Sequence, residues 1–286
     1  MFRLAAASEP FRAAVPDELV PVVWAVTMLG SAKFLMVGLS LAYWNLEAHR
    51  EKLLALVSTA FLALAATLLL KYWFHLPRPP VAVQRYPVDP SPVGFPSGHA
   101  ISATVVYGGV LVVADRYRDP RAVLGVGALV LAVGLSRVVL GVHYLGDILA
   151  GFAVGLVALG VLVVALERGA TAVFALAVAL SVPAVVVTGG NADATLALGG
   201  SLGALAGTVG RSAGVFDGGR IRTRAERALL SVGGLVFAGA AVAIAETVES
   251  LLLLAGVANF ALAFGIVALP ALAGRADALA DPRAAD

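Results

Sequence analysis

The sequence contains no cysteine and few charged residues. Without cysteine, this chain of 286 residues can form no disulfide bond, no thiolate metal site and no cysteine nucleophile. Charged residues are 13% of the total and hydrophobic residues 60%, whereas an ordinary soluble domain carries about a quarter charged residues. So little charge cannot cover the surface of a soluble domain of this size. We therefore expect the lipid bilayer to be the solvent for most of the chain.

The excess of positive charge is small and is not gathered on one surface. The formal net charge is +2 and the pI is about 9.1. The basic residues occur in short stretches between apolar segments, whereas a nucleic-acid-binding face needs them clustered, so nucleic acid is not an expected partner. Residues 1–20 lack the uninterrupted apolar core of a cleavable signal peptide, and we expect them to remain in the mature protein.

Long apolar runs dominate the rest of the sequence. A membrane-spanning helix needs about 20 mostly apolar residues and satisfies its own backbone polar groups in lipid. The runs therefore predict an all-α fold, a polytopic membrane helix bundle of about nine transmembrane helices. These helices are expected near residues 31–49, 53–70, 99–114, 121–140, 146–166, 170–188, 194–210, 226–246 and 250–272. Residues 20–30 either extend the first span or form a short interfacial helix that ends at Gly30.

The distribution of lysine and arginine predicts the orientation in the membrane. If residues 71–98 lie outside the cell, thirteen of the 20 Lys and Arg residues fall in inner loops, six fall outside, and Lys33 lies in or near the first span. Inner loops of membrane proteins carry an excess of Lys and Arg. We therefore predict a multi-pass protein of the cell membrane, with residues 71–98 on the extracytoplasmic side.

The composition divides the chain into two regions. Residues 1–166 contain every histidine and every lysine, so the chemically active side chains are expected there. Residues 167–286 are rich in Ala, Val, Leu and Gly, and are expected to form accessory transmembrane helices of unknown role. Small residues around Gly199 have the spacing that lets membrane helices approach closely.

Three polar clusters interrupt the apolar runs of the first region, and the predicted topology places all three on the outer face. The clusters are KYWFHLPRP with Lys71, Arg78 and Pro79, PSGH with Pro96, Ser97, Gly98 and His99, and SRVVLGVHYLGD with Ser136, Arg137, His143 and Asp147. Taken singly, each has a structural explanation. Lys71 alone would be a lysine snorkelling to the interface, and PSGH alone would be a helix start capped by Ser97.

Taken together, the clusters have the composition of a phosphate site. They assemble three cations, two histidines, a carboxylate and the start of a helix. Arginine and lysine match phosphate oxygens in charge and donor geometry. Backbone N–H groups of Ser97 and Gly98, at the start of the helix predicted from residue 99, would cradle an anion that glycine lets approach closely. His143 and Asp147 are four residues apart and share a helix face.

This pattern resembles that of the type 2 phosphatidic acid phosphatase (PAP2) superfamily. The family's motifs are Lys-x6-Arg-Pro, Pro-Ser-Gly-His and Ser-Arg-x5-His-x3-Asp, and the residues of the three clusters match all eleven fixed positions in order. The stretch VTMLGSAKF at residues 26–34 also resembles the family's usual opening, which favours a short interfacial piece before the first span. The resemblance covers residues 40–147 and implies that residues 1–166 form the catalytic helix bundle.

The resemblance also implies a mechanism with a phosphohistidine intermediate. His143 would be the nucleophile, Asp147 would fix its tautomer, and His99 would protonate the leaving oxygen and then activate water. Five further residues would bind the phosphate: Lys71, Arg78, Ser97, Gly98 and Arg137. No cluster of carboxylates suits Mg²⁺, so we expect no metal requirement and no cofactor.

A site at the outer headgroup level, with hydrocarbon beneath it, predicts a lipid phosphate as substrate among the membrane lipids. Phosphatidic acid, phosphatidylglycerol phosphate and a polyprenyl diphosphate all fit, and the pattern does not distinguish among the three. It also indicates no oligomeric state. A membrane phosphotransferase using the same phosphohistidine, or a non-enzymatic lipid-phosphate carrier, stays open as an alternative. The pattern also resembles vanadium-dependent haloperoxidases, but those relatives are soluble, whereas the mean hydropathy of this chain is +0.94.

Overall fold

The structure, a computed structural model, describes residues 3–85, 91–215, 224–247 and 251–280, with the backbone alone for 224–225 and 272–280. The α-helices in these ranges are α1 (Ala5–Ala13), α2 (Val20–Met28), α3 (Ala32–Asn45), α4 (Arg50–Phe74), α5 (Gly98–Val113), α6 (Pro120–Val139), α7 (Leu145–Arg168), α8 (Ala170–Thr188), α9 (Ala192–Ser212), α10 (Arg224–Thr247) and α11 (Leu252–Ala280). Short 3-10 helices lie at Asp17–Leu19, Glu47–His49 and Val81–Val83. Three arginines counted among the inner loops lie outside the described residues: Arg220, Arg222 and Arg283. Residues 248–250, near the predicted start of the last span, also lie outside them.

The all-α membrane bundle predicted from the apolar runs is confirmed. Among the described residues, six helices are long and apolar enough to cross a membrane: Glu47–Phe74, Pro120–Val139, Leu145–Arg168, Ala170–Thr188, Glu226–Thr247 and Leu252–Ala271. The pair formed by Asp17–Met28 and Ala32–Asn45 gives a seventh candidate span. The number is lower than the nine predicted, although each predicted segment overlaps a helix. The reasons are that α5 has only 16 residues and that glycine dilutes the hydropathy of α9.

Residues 20–30 form a helix of their own and do not simply extend the first span. The axes of the helices before and after this break differ by 46°. Two side chains of α5 hold the break, because Ser102 Oγ donates to the Gly30 carbonyl at 2.7 Å and the Tyr107 hydroxyl donates to the Leu29 carbonyl at 2.7 Å. These bonds hold the break itself, at Leu29 and Gly30, against α5.

The backbone forms two compact units. One consists of Met1–Met36 and Ala66–Val164, and the other of Val37–Ala65 and Ala165–Asp286. One division between the units falls after Val164, and residues 37–65, which the composition grouped with the first region, belong to the second unit. All three polar clusters lie in the first unit. The catalytic role of that region and the accessory role of the other stay predictions.

In the second unit, α9 and α11 approach each other through glycine. A Cβ atom added at Gly203 would lie 2.1 Å from the Phe260 carbonyl oxygen, and one at Gly199 would lie 2.4 Å from the Gly256 carbonyl oxygen. Any larger residue at these positions would push the two helices apart. The close approach predicted from the small residues around Gly199 is therefore present.

In the first unit, glycines bring α7 against α5. A Cβ atom added at Gly151 would lie 2.9 Å from the Ser97 carbonyl oxygen, and one at Gly155 would lie 2.6 Å from Thr104 Cβ. At this close approach, the Ser97 N–H donates to the Asp147 carbonyl at 3.1 Å. The starts of α5 and α7 therefore lie side by side.

A glycine turn ends α6 and leads the chain into the start of α7. Gly141 has a φ of +71°, which residues with a side chain rarely adopt. The N–H groups of Val142 and His143 donate back to the Arg137 carbonyl at 3.1 and 3.3 Å, which closes the helix end. A Cβ atom at position 141 would lie 2.0 Å from the Val83 carbonyl oxygen. The turn thus sets His143 in the short loop just before α7.

Candidate active site

The three polar clusters converge at one end of the first unit. The first cluster ends α4 and continues into the loop after it, the second starts α5, and the third joins the end of α6 to the start of α7. Direct contacts connect them: Arg78 Nη1 lies 3.1 Å from His143 Nε2, and the Ser97 N–H donates to the Asp147 carbonyl at 3.1 Å. The structure therefore brings together side chains that are up to 76 positions apart in the sequence, from Lys71 to Asp147.

The two ring nitrogens of His143 have different partners. Nε2 lies 3.1 Å from Arg78 Nη1, and Nδ1 lies 3.3 Å from Asp147 Oδ2. A guanidinium group can only donate, so Nε2 must accept, whereas a carboxylate accepts, so Nδ1 carries the hydrogen. These contacts select the tautomer of His143 that has its lone pair on Nε2.

Asp147 is a fully buried carboxylate with several donors around it. Its side chain is 0% exposed. Arg3 binds both oxygens, with Nε 2.7 Å from Oδ1 and Nη2 2.8 Å from Oδ2, and the Tyr144 N–H donates to Oδ2 at 3.0 Å. Such paired, charge-assisted bonds offset the cost of burying the charge. Asp147 is therefore held in one orientation toward His143.

Burial keeps His143 in its neutral form. The residue is 1% exposed. Burial, followed by the positive charges of Arg78, Arg137 and Lys71, lowers the pKa of His143 well below the ordinary value of an imidazole. A lowered pKa means that the ring stays uncharged, with its lone pair free, to a more acidic pH than an exposed histidine would.

His99 lies at the start of α5, within electrostatic reach of the same groups. The charges of Arg137, Lys71 and Arg78 act on its ring, as does His143. The two histidines singled out in the sequence are therefore neighbours in the structure.

The start of α5 offers different anion donors from those expected. The Ser97 N–H, expected to face the anion, is already committed to the Asp147 carbonyl, and Ser97 Oγ accepts from the Ala100 N–H at 3.5 Å as a helix cap. The donor left to Ser97 is its hydroxyl hydrogen. Gly98 and His99 supply the first N–H groups of the helix, which have no partner within the helix.

Two buried cations face the site from other helices. Arg137, near the end of α6, is 1% exposed, and Lys71, near the end of α4, is 7% exposed. Arg137 Nη1 donates to Thr27 Oγ1, in the last turn of α2, at 3.2 Å. Burying cations is costly, and an anion bound between them offsets that cost. The arrangement therefore suits a ligand with several negative oxygens.

The loop before α5 fixes the side chain of Arg78. Pro77 and Val93 form an antiparallel bridge that joins the two ends of this loop. Arg78 Nε donates to the Ser91 carbonyl at 2.8 Å, and Nη1 donates to the Val142 carbonyl at 3.2 Å. These bonds hold the guanidinium beside Nε2 of His143.

Two residues that the sequence motifs did not single out also touch the site. Thr27 binds Arg137, and Arg3 binds Asp147 across 144 positions of sequence. Thr27 lies in the stretch that resembles the family's opening, so the sequence held a signal for it. Arg3 belongs to no motif, and no sequence signal marks it.

An open apolar groove of about 220 Å³ lies between α2 and α6 beside the site. Its walls are formed by Val22, Val23, Val26, Ala132, Leu135, Ser136 and Val139. Two residues of its wall, Val26 and Ser136, directly precede Thr27 and Arg137, which bind each other. The apolar walls have the chemistry to accept an apolar chain.

The polar cluster is rich in cations rather than in metal ligands. Across the part of the chain that the structure describes, no group of three or more His, Cys, Asp or Glu side chains is placed to hold a metal ion. Asp147 is the carboxylate of the cluster, and Arg3 occupies both of its oxygens. Lys and Arg thus supply the positive charge around the candidate phosphate position.

The region that forms the site is similar to known membrane phosphatases. Residues 52–169 match the family model described as the PAP2 superfamily, and all three clusters lie in this range. Phosphatidylglycerophosphatase B of Bacillus subtilis (strain 168) is 29% identical over 147 residues, which is 47% of this chain and 69% of the relative. A crystal structure described as the first transmembrane PAP2 type phosphatidylglycerolphosphate phosphatase, also from Bacillus subtilis, is 26% identical, with a TM-score of 0.46 over 57% of this chain and 84% of that one.

Proposed function

Because residues 52–169 of this chain belong to the PAP2 superfamily, we propose that it is an integral membrane phosphatase that hydrolyses lipid phosphates through a phosphohistidine on His143. The family match confirms the resemblance found in the sequence. The observation that carries the proposal is the pair of contacts of the His143 ring, with Nδ1 on Asp147 and Nε2 toward Arg78. A neutral imidazole whose lone pair points into a cluster of cations is suited to attack a phosphorus atom.

In the first step, His143 Nε2 attacks phosphorus and the bond from phosphorus to the leaving oxygen breaks. His99 donates a proton to that oxygen, so a phosphomonoester releases an alcohol and a diphosphate releases a lipid monophosphate. The ring of His143 gains positive charge as the P–N bond forms, and Asp147, bonded to Nδ1–H, stabilises that charge.

In the second step, water attacks the phosphohistidine and the P–N bond breaks. His99, now neutral, takes a proton from the water, and inorganic phosphate leaves. The bonding electron pair returns to Nε2, so His143 is again neutral with its hydrogen on Nδ1. One turnover therefore consumes one ester or anhydride bond and one water molecule.

Cations and N–H groups of the site stabilise the transferring phosphoryl group. Positioning and charge stabilisation are the largest contributions a protein makes to phosphoryl transfer. The groups assigned to this role are Lys71, Arg78, Arg137, the Ser97 hydroxyl and the Gly98 N–H. Because these groups supply the positive charge that a divalent ion supplies in other phosphatases, we propose that the enzyme needs no metal and no cofactor.

The groove between α2 and α6 supports a lipid as the substrate. Its apolar walls suit an acyl or prenyl chain, and Ser136 in its wall is the neighbour of Arg137 in the sequence. The name of the Bacillus subtilis relative makes phosphatidylglycerol phosphate the first candidate. Phosphatidic acid and a polyprenyl diphosphate present the same chemistry, a terminal phosphate on an apolar chain.

Phosphate release by the purified protein tests the proposal directly. We expect release from long-chain phosphatidylglycerol phosphate, phosphatidic acid or prenyl diphosphate, and a far higher KM for short-chain, water-soluble esters, because the groove contributes binding only to a long chain. The activity should persist in EDTA and be inhibited by vanadate, which mimics the transferring phosphoryl group. A strict Mg²⁺ requirement would contradict the proposed charge stabilisation. Consumption of the lipid phosphate only when an alcohol acceptor is present, with a phosphorylated alcohol formed in place of inorganic phosphate, would identify a transferase.

We also propose that the site opens on the extracytoplasmic side. A chain without cysteine allows single cysteines to be introduced, and Val81 and Tyr117, 81% and 48% exposed, lie in loops at opposite ends of the first unit's helices. In intact cells, Val81→Cys should react with an impermeant maleimide, and Tyr117→Cys should react only after the membrane is permeabilised. The reverse labelling pattern would place the site on the cytoplasmic side.

A further inference from the structure

Arg3, at the start of the described chain, is built into the candidate site although it lies far outside the range that matches the family. Its guanidinium binds both oxygens of Asp147, at 2.7 and 2.8 Å, and Nη1 donates to the Pro77 carbonyl at 2.7 Å. The guanidinium also lies over the ring of Tyr144, 4.7 Å from its centroid. Arg3 therefore joins the loop after α4 to the first turn of α7.

The segment around Arg3 is seated on the start of α7. The Gly146 N–H donates to the Arg3 carbonyl at 3.0 Å, and the Leu145 N–H donates to Ser8 Oγ at 2.9 Å. The first N–H groups of a helix have no partner within the helix, so residues of the N-terminal segment act as the cap of α7. This cap fixes Arg3 relative to Asp147 through the backbone as well as through the side chain.

The geometry points to a positioning role: we propose that Arg3 holds Asp147 in the orientation that aligns His143 for attack. The inference rests on the proposed function. Asp147 Oδ2 accepts from both Arg3 Nη2 and His143 Nδ1, so the arginine decides where this oxygen lies relative to the ring. Three of the five N–H donors of Arg3 are committed to Asp147 and Pro77, so we assign Arg3 a role that acts through the carboxylate.

Arg3 also shapes the electrostatic environment of the nucleophile. The charged and titratable groups that face His143 come from every element around it: Arg3, Lys71, Arg78, His99, Arg137 and Asp147. The Arg3 charge lowers the pKa of His143. Removing Arg3 takes away one positive charge and leaves more of the Asp147 charge to act on the ring, so the pKa of His143 rises. Because the neutral ring is the reactive form, activity is then lost at a higher pH on the acid side.

A double-mutant cycle with pH profiles tests this role. We expect Arg3→Ala to lower kcat by about 10- to 100-fold, as is typical for partners that orient a carboxylate–histidine pair, with KM nearly unchanged. In Arg3→Ala, the acid limb of the pH profile of kcat/KM should move to higher pH. Arg3→Lys should reverse part of both effects, because lysine restores the positive charge but cannot bind both carboxylate oxygens as a guanidinium does. In an Asp147→Asn background, Arg3→Ala should cause little further loss, because both residues act through one contact.

A matched control comes from the same segment. Arg12→Gln also removes a positive charge, but Arg12 pairs with Glu9 and does not contact Asp147. The kcat and the pH profile of this variant should therefore stay as in the wild type. Independent losses for Arg3→Ala and Asp147→Asn, or an acid limb that does not move in either Arg3→Ala or Arg3→Lys, would overturn the positioning role. If Arg3→Ala does not fold, the Arg3→Lys profile decides.

A readout without turnover separates this inference from the proposed function. The titration of His143 can be followed by ¹⁵N NMR of histidine-labelled protein, with the signal assigned by its loss in His143→Ala. We expect the His143 titration to shift to higher pH in Arg3→Ala and not in Arg12→Gln. A shifted titration in a protein that releases no phosphate would contradict the phosphatase proposal alone, whereas an unshifted titration in an active enzyme would contradict the role of Arg3 alone.

Discussion

Replacing His143 by alanine should reduce phosphate release by on the order of 10⁴-fold or more, because the variant has no atom that can form the P–N bond. The fold should persist, since His143 lies in a short loop whose backbone bonds to Arg137 do not involve the ring. Steady-state release from a long-chain lipid phosphate measures the loss. Wild-type protein quenched during turnover should carry acid-labile phosphate, and His143→Ala should carry none.

The sequence provides a matched histidine for comparison. His75 is exposed and lies in the loop after α4, near the same end of the unit. Its φ of 47° is one that asparagine tolerates, so His75→Asn is the appropriate control and should keep wild-type turnover. If His143→Ala keeps its turnover, or if labelled phosphate is found on another residue, the proposed mechanism is wrong. A lipid-phosphate carrier would bind substrate without forming labelled enzyme at all.

Replacing His99 by alanine should separate the two chemical steps. With a lipid phosphate, we expect a loss of about 10²- to 10⁴-fold, because the departing alkoxide needs the proton that His99 supplies. With p-nitrophenyl phosphate, the nitrophenolate leaves without a proton, so the first step should stay fast. The second step still needs His99 to activate water. The expected result is a burst of nitrophenol equal to the amount of enzyme, followed by slow turnover.

Two control measurements are needed to interpret the burst. His143→Ala should show no burst with the same ester, because no phosphohistidine can form. Wild-type protein should show fast steady turnover with the ester. Equal losses of His99→Ala on the lipid phosphate and on the nitrophenyl ester, without a burst, would assign His99 to phosphate binding and remove it from proton transfer.

Local patterns in the sequence were sufficient to predict the helices and most of the candidate site. Runs of apolar residues predict helices in lipid because backbone groups must be satisfied within each segment. The four-residue spacing of His143 and Asp147 predicts their contact, which is present. The shared helix face expected from that spacing is wrong, because His143 lies in the loop before α7 and the turn at Gly141 sets its position. The number of spans was less accurate, since α5 is short and α9 is diluted by glycine.

Contacts between distant residues were not predictable in the same way. The commitment of the Ser97 N–H to the Asp147 carbonyl follows from how closely α5 and α7 approach at Gly151. The bond from Thr27 to Arg137 requires the bend before α3, which no local pattern measures. Arg3 reaches Asp147 because the N-terminal segment folds over the start of α7.

By itself, the sequence determined that this is a helical membrane protein with the side chains of a candidate phosphate site, because composition, period and motif spacing act within a few residues. The tertiary structure alone decided which nitrogen of His143 carries the lone pair, since the tautomer depends on Arg78 on one side and Asp147 on the other. It also decided that Arg3 secures that carboxylate. These outcomes depend on distances between separate helices and loops, and packing sets such distances only when the whole chain has folded.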